Sequence, residues 1–147
     1  MHIRSYHEND LDAVTSLWRE VFGYQTPHNE PTLSIARKLA VADDLFFVAD
    51  EAAPPPVDGA VRANVIGTVM GGYDGHRGWV YALAVAPAVR GRGIGTALMR
   101  HLEARLLQLD CLKINLQVMP GNEQVTEFYR RLGYQVEPRT SMGKCLY

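Results

Sequence analysis

Only two cysteines, Cys111 and Cys145, occur in the 147 residues of the chain, and they form no Cys-x-x-Cys pair. No cysteine and histidine cluster has zinc spacing either. Neither a disulfide framework nor a metal is therefore expected, and a reducing, cytoplasmic setting is the simplest reading. Charge of one sign is also lacking: 15 Lys and Arg stand against 16 Asp and Glu, a formal net charge of −1. That balance gives no overall field to gather nucleic acid or an anionic membrane, so neither is expected as a partner, and any positive charge that matters must be local. No apolar run approaches the roughly 20 residues of a membrane span, and the start, Met1-His2-Ile3-Arg4-Ser5-Tyr6, has no apolar secretion segment. A soluble monomer or homodimer is expected. Internal repeats are absent, and the one biased stretch, Ala52-Ala53-Pro54-Pro55-Pro56-Val57-Asp58-Gly59, reads as an exposed connection too short to divide domains. The length suits one domain that buries a core without staples.

What is present is a succession of hydrophobic periods. Residues 2–6 read as a short strand. Leu11, Val14, Leu17, Trp18, Val21 and Phe22 recur at helical spacing behind Asn9 and Asp10, which suit capping. Pro31 fits the first turn of a second helix that runs to about Val41. Residues 45–49, 65–70 and 79–85 read as strands. Between the last two lies Gly71-Gly72-Tyr73-Asp74-Gly75-His76-Arg77-Gly78, whose Asp-Gly predicts an antiparallel hairpin closed by a type I′ turn with two residues at positive φ. After Gly93, the spacing of Ile94, Leu98, Leu102, Leu106 and Leu109 predicts a third helix, which leads to a strand over 112–119 in a parallel crossover. Asn122 is expected to cap a fourth helix with Val125, Phe128, Tyr129 and Leu132 on one face, and Gly133 to end it. Short strands near 134–136 and 143–146 close the chain, the second packing Cys145. The expected fold class is α/β (α+β), a mixed, mostly antiparallel sheet flanked by about four helices.

The stretch richest in chemistry is Val85-Ala86-Pro87-Ala88-Val89-Arg90-Gly91-Arg92-Gly93-Ile94-Gly95-Thr96. A buried strand ends, and a loop with three glycines and two arginines opens directly into a helix. Glycines let backbone N–H groups approach a phosphate, the helix N-terminus supplies about half a positive charge, and the arginines add ionic donors. This pattern makes an anion cradle. It lacks the Gly-Lys-Ser/Thr of a nucleotide P-loop, and the first strand-helix unit lacks the dinucleotide glycine fingerprint.

Arg90-x-x-Gly93-x-Gly95, following Leu83-Ala84-Val85, resembles the signature of the GNAT superfamily of N-acetyltransferases. Downstream, Asn122-x-x-Val125-x-x-Phe128-Tyr129-x-x-x-Gly133-Tyr134 resembles a second block of that family, and residues 71–85 resemble its small bacterial members of the YpeA type. The resemblance implies the GNAT fold, with a splayed pair of parallel strands. It also implies acetyl-coenzyme A as co-substrate and a primary amine as acceptor, with no metal. Leu83, Ala84 and Val85 would then pair with the pantetheine arm. Arg90, Gly91, Arg92, Gly93, Ile94, Gly95 and Thr96 would hold the pyrophosphate, and Asn122 would touch coenzyme A or simply cap its helix. Tyr129 matches the family's proton donor to the departing thiolate.

Many family members carry a glutamate on the strand before the cradle, whereas Trp79-Val80-Tyr81-Ala82-Leu83 has no acid. His76, oriented by Asp74, is the nearest group with a suitable ordinary pKa, and a water chain past Tyr81 is the alternative. Asp74 and His76 also read simply as turn residues. Tyr24, His28 and Glu30, in the loop where the family contacts acceptors, and Trp79 and Tyr81 are the substrate-binding candidates. Two function classes fit these residues: an acetyltransferase acting on an amine, and a module that binds acyl-coenzyme A without turnover.

Overall fold

Residues 1–23, 26–51 and 64–147 are described in the computed structural model, so the proline-rich stretch and Tyr24 lie outside the described residues. The chain divides into two compact units, 1–116 and 117–147. In the first, five strands run β1 His2–Ser5, β2 Phe46–Asp50, β3 Val65–Tyr73, β4 Gly78–Val85 and β5 Ile114–Asn115, and they lie in that order across one sheet. The first three junctions are antiparallel and β4 pairs with β5 in parallel, which makes the mixed sheet that the periods predict. Three helices accompany it: α1 Leu11–Phe22, α2 Pro31–Val41 and α3 Ile94–Gln108.

β2 shows why both faces are covered. Its residues 46–49 are all buried, and strand alternation sends Phe46 and Phe47 to opposite sides. Phe46 meets Trp18 of α1 (ring centroids 5.7 Å apart), whereas Phe47 meets His101 of α3 edge-on at 4.5 Å. Val14, Leu17 and Trp18 fill one face together with Ile35 of α2, and Leu98, Leu102 and Leu106 of α3 are fully buried. Gly71 explains the close seat of α3: a Cβ there would stand 2.5 Å from Leu102 Cδ1. Leu109, expected on the buried face of α3, instead sits at its C-cap and is exposed, because the helix stops one residue earlier.

Asp10 has a different task from the one expected. A short 3-10 turn, Glu8–Asp10, precedes α1, and His7 and Asp10 form a reciprocal capping box for that turn; neither Asn9 nor Asp10 caps α1 by its side chain. The Asp10 carboxylate, 1% exposed, accepts from Arg4 Nη1 at 2.8 Å, from Arg4 Nη2 at 2.9 Å and from the His7 amide at 2.8 Å. Arg4 Nε donates to Asp50 at 2.7 Å, so one guanidinium ties β1, β2 and the start of α1.

The hairpin forms with a different turn. Tyr73 pairs with Gly78, which leaves a four-residue loop in which only Gly75 has a positive φ, +89°. Asp74 Oδ1 accepts the amides of His76 and Arg77, both at 2.8 Å. That local side-chain closure replaces the type I′ geometry. β5 is also shorter than expected. Pairing is confined to Gly78↔Ile114 and Trp79↔Asn115, since an edge strand is held by one ladder only. Among the described residues, β4 therefore has no strand partner on this side from Val80 to Val85.

In the second unit, α4 spans Glu123–Arg131. Asn122 occupies its N-cap position but makes no side-chain cap bond, since its backbone (φ −107°, ψ 55°) leaves the extended region that aims such a side chain at the helix. At the other end, Gly133 N–H donates to Arg130 O and Tyr134 N–H to Tyr129 O, a Schellman closure with Gly133 at φ +98°. The two expected closing strands are not formed. Pro138 interrupts the stretch and Arg139 N–H folds back onto Glu137 O, and Cys145 is exposed rather than packed. No helix among the described residues is long and apolar enough to cross a membrane.

Candidate functional site

The site grows from the end of β4. After Val85, a 3-10 turn at Pro87–Val89 delivers Arg90, and Gly91 and Gly93 then adopt left-handed backbones at φ +80° and +78° before α3 begins. A Cβ on either glycine would meet nothing within 4 Å, so the demand for glycine comes from the backbone, and the space before the loop is open. The first helical bond joins Ala97 N–H to Gly93 O at 3.0 Å, which leaves the amides of Ile94, Gly95 and Thr96 without an acceptor inside the helix. Gly93 at the N-cap has no side chain to close this end, and the first turn has no acid. At α2, by contrast, Glu30 closes the N-terminus by accepting the Leu33 amide at 2.9 Å. The start of α3 is thus suited to an external anion, as coenzyme A phosphates require.

The two arginines are already engaged. Arg90 Nε donates to Val85 O at 3.2 Å and braces the loop against the strand that precedes it. Arg92 forms an ion pair with Glu51 at 2.5 Å.

β4 carries an irregularity that sequence reasoning missed. Thr68 pairs with Ala84 and Met70 with Tyr81, so Ala82 and Leu83 both face the single residue Val69. Such a bulge kinks the strand. Ala82 sits at φ +50°, which for a residue with a Cβ costs about 1–3 kcal/mol and persists only where the surroundings enforce it. The enforcing contact is buried: Trp18 Nε1 donates to Thr68 Oγ1 at 2.9 Å, and Thr68 Oγ1 donates to the Ala82 carbonyl at 2.9 Å. The one available signal was a threonine in an otherwise apolar strand, Val65-Ile66-Gly67-Thr68-Val69-Met70.

At the other end of β4, Asp74 and His76 are exposed. The Arg77 and His76 amides hold the Asp74 carboxylate below its ordinary pKa, and no described bond joins it to the His76 ring. Trp79 is half-buried opposite Gly72, and Tyr81 is 54% exposed, its phenol raised by partial burial and then by the Asp74 charge. His28 lies in the exposed turn Pro27–Asn29. Glu30, besides capping α2, meets Arg19 at 3.4 Å. In the second unit, Tyr129 is buried, with its ring edge-on to Phe128 at 5.1 Å and to Tyr134 at 5.7 Å. Burial pushes its phenol up to about 12, so the hydroxyl keeps its proton at neutral pH.

A helix start behind two left-handed glycines, continuing a bulged strand with one open edge, is the arrangement the chain presents at this end of the sheet. The chain belongs to the acetyltransferase (GNAT) family, whose model matches residues 11–134, and it is an acetyltransferase of that family. Solved structures agree in fold. Naa20 from Chaetomium thermophilum, in complex with a bisubstrate analogue, is 25% identical at a TM-score of 0.72, covering 92% of this chain and 72% of that one. The aminoglycoside 6'-N-acetyltransferase AAC(6')-IG from Acinetobacter haemolyticus is 18% identical at 0.71 over 100% of both chains. A ribosomal-protein alanine N-acetyltransferase from Escherichia coli is 18% identical at 0.71, covering 90% of this chain and 76% of that one.

Proposed function

We propose that this enzyme transfers the acetyl group of acetyl-coenzyme A to a primary amine by direct attack in a ternary complex, with both units acting as one domain. The family match supports the single domain, since residues 11–134 run across the boundary between the units. The observation that carries the reading is the start of α3, uncapped and preceded by Gly91 and Gly93 at positive φ. These amides, with Arg90 and Arg92, would hold the pyrophosphate. The edge of β4 around Leu83 and Val85 would pair with the pantetheine arm and orient the thioester carbonyl, and Asn122 would add a contact to coenzyme A.

In the reaction the amine nitrogen bonds to the acyl carbon, the carbon–sulfur bond breaks, and the thiolate takes a proton from Tyr129. The amine's own proton leaves through His76 or through water past Tyr81. His28, Glu30, Trp79 and Tyr81 would receive the acceptor, with Tyr24 lying outside the described residues. The structural relatives named for aminoglycoside and for protein alanine acetylation mark the two acceptor classes to try first.

Thiol release from acetyl-coenzyme A, measured across peptides, amino acids, polyamines and aminoglycosides, tests this function. Release that depends on one amine class supports it. Tight binding of acetyl-coenzyme A with no release for any amine would instead favour a binding module.

Gly93→Val gives a separate expected outcome. A β-branched residue does not settle at φ +78°, and its methyls would enter the open space before the loop. Affinity for acetyl-coenzyme A should fall by more than about 10-fold, the worth of one or two charge-assisted hydrogen bonds. Unchanged affinity by calorimetry would remove this loop from the cofactor site.

A further inference from the structure

We infer that Thr68, held by Trp18, is a positioning residue that aims the Leu83 amide at the thioester carbonyl; the inference rests on the acetyl-coenzyme A reading above. Ala82 C=O and Leu83 N–H belong to one peptide plane. The peptide between Ala82 and Leu83 is not cis, so the two groups point in opposite directions. Thr68 Oγ1 draws the Ala82 carbonyl inward, at 2.9 Å, and so turns the Leu83 N–H away from the Thr68 side. A hydroxyl free to rotate would not define that direction. Here it is fixed, because its acceptor side is occupied by Trp18 Nε1–H at 2.9 Å and its single proton is left for Ala82. Trp18 and Thr68 are both fully buried, so water does not compete for the bond between them.

The arrangement has the marks of a device for holding one peptide. It spans 50 residues of sequence between α1 and β3, and it ends on the strained residue of the bulge. The bulge stands in the open-edged part of β4, between the Trp79↔Asn115 pair and the cradle. A regular strand would alternate its N–H groups between its two neighbours. By placing two residues opposite Val69, the bulge breaks that alternation at Leu83, and the Thr68 bond selects the direction that results.

The test compares the affinities of acetyl-coenzyme A and S-ethyl-coenzyme A, a thioether without the carbonyl, by calorimetry on wild type, Thr68→Val and Thr68→Ser. Wild type should prefer the thioester by about 3- to 10-fold, the worth of one hydrogen bond. Thr68→Val should lose the preference while its S-ethyl-coenzyme A affinity stays within about twofold, since that ligand uses only the rest of the site. Thr68→Ser keeps the hydroxyl and should restore the preference, a result that mere packing by the threonine methyl does not produce. Should valine not fold at this position, Thr68→Ala carries the same expectation. Preference retained without the hydroxyl, or lost equally in the serine variant, overturns the inference and leaves the acetyl-coenzyme A reading intact. A wild type that binds neither ligand overturns both.

Discussion

Tyr129→Phe should lower kcat by about two to four orders of magnitude, the range for loss of a general acid, while acetyl-coenzyme A affinity stays near wild type. The substitution removes one oxygen and keeps the ring that packs edge-on against Phe128 and Tyr134, so a folding defect does not account for the loss. Burial raises the phenol to about 12, which favours its neutral form. The donor is therefore loaded throughout the working range, and no alkaline decline from Tyr129 is expected below about pH 10. Any limb of the rate profile near neutrality belongs to the acceptor amine or to the group that takes its proton. Stability follows the same sign. An unfolded tyrosine ionises near 10 and this one near 12, so its contribution is present below about pH 10 and is lost as pH rises through the higher value. Single-turnover kinetics with a substrate amine check the rate, and a variant within twofold of wild type would exclude the role.

Asp10→Ala should destabilise the fold by about 3 kcal/mol and lower Tm by roughly 10 °C. The estimate takes the low end for a broken buried pair, because Arg4 keeps Asp50 at 2.7 Å after Asp10 is gone. Burial alone would raise the Asp10 pKa. The two-pronged Arg4 contact and the His7 amide outweigh it and hold the carboxylate below its ordinary value. A depressed folded-state pKa gives stability that is present above the unfolded value, about 3.9, and is lost as pH falls through the folded one. Wild type and variant should thus differ fully at pH 7 and converge in strong acid. Urea titrations at several pH values measure this, and a constant difference down to the lowest pH would show that the pair does not titrate as argued.

Much of this was readable before any coordinates. α1, α3 and α4 follow their apolar spacing, because a helix is specified by contacts three and four residues apart, and α2 begins at the proline that suits its first turn. The glycine loop that opens into α3 was legible too, since glycines and a helix start are local features. What escaped depended on distant partners or on a side chain that competes locally with the backbone. The length of β5 is set by where its single neighbour pairs with it, and the Asp74 turn is decided by a carboxylate competing with the backbone. The control of Ala82 by Thr68 joins three separate elements, and the Asp10 site requires Arg4 from β1. Tyr129 was readable as a motif position, but its raised phenol follows from burial.

The clasp between Arg92 and Glu51 joins residues 41 apart in sequence and has a consequence for selectivity. Left bare, a helix start with two arginines would be a sticky basic spot for RNA and free inorganic anions. Glu51 neutralises one of those charges at rest. An incoming anion that uses Arg92 must displace the carboxylate, which for so exposed a pair costs no more than about 1 kcal/mol. A doubly charged pyrophosphate gains more than it gives up in that exchange, whereas chloride exchanges one negative charge for another. Under the proposed function, the Arg92–Glu51 pair would thereby set a threshold on ligand charge, admitting a doubly charged group more readily than a monovalent salt ion.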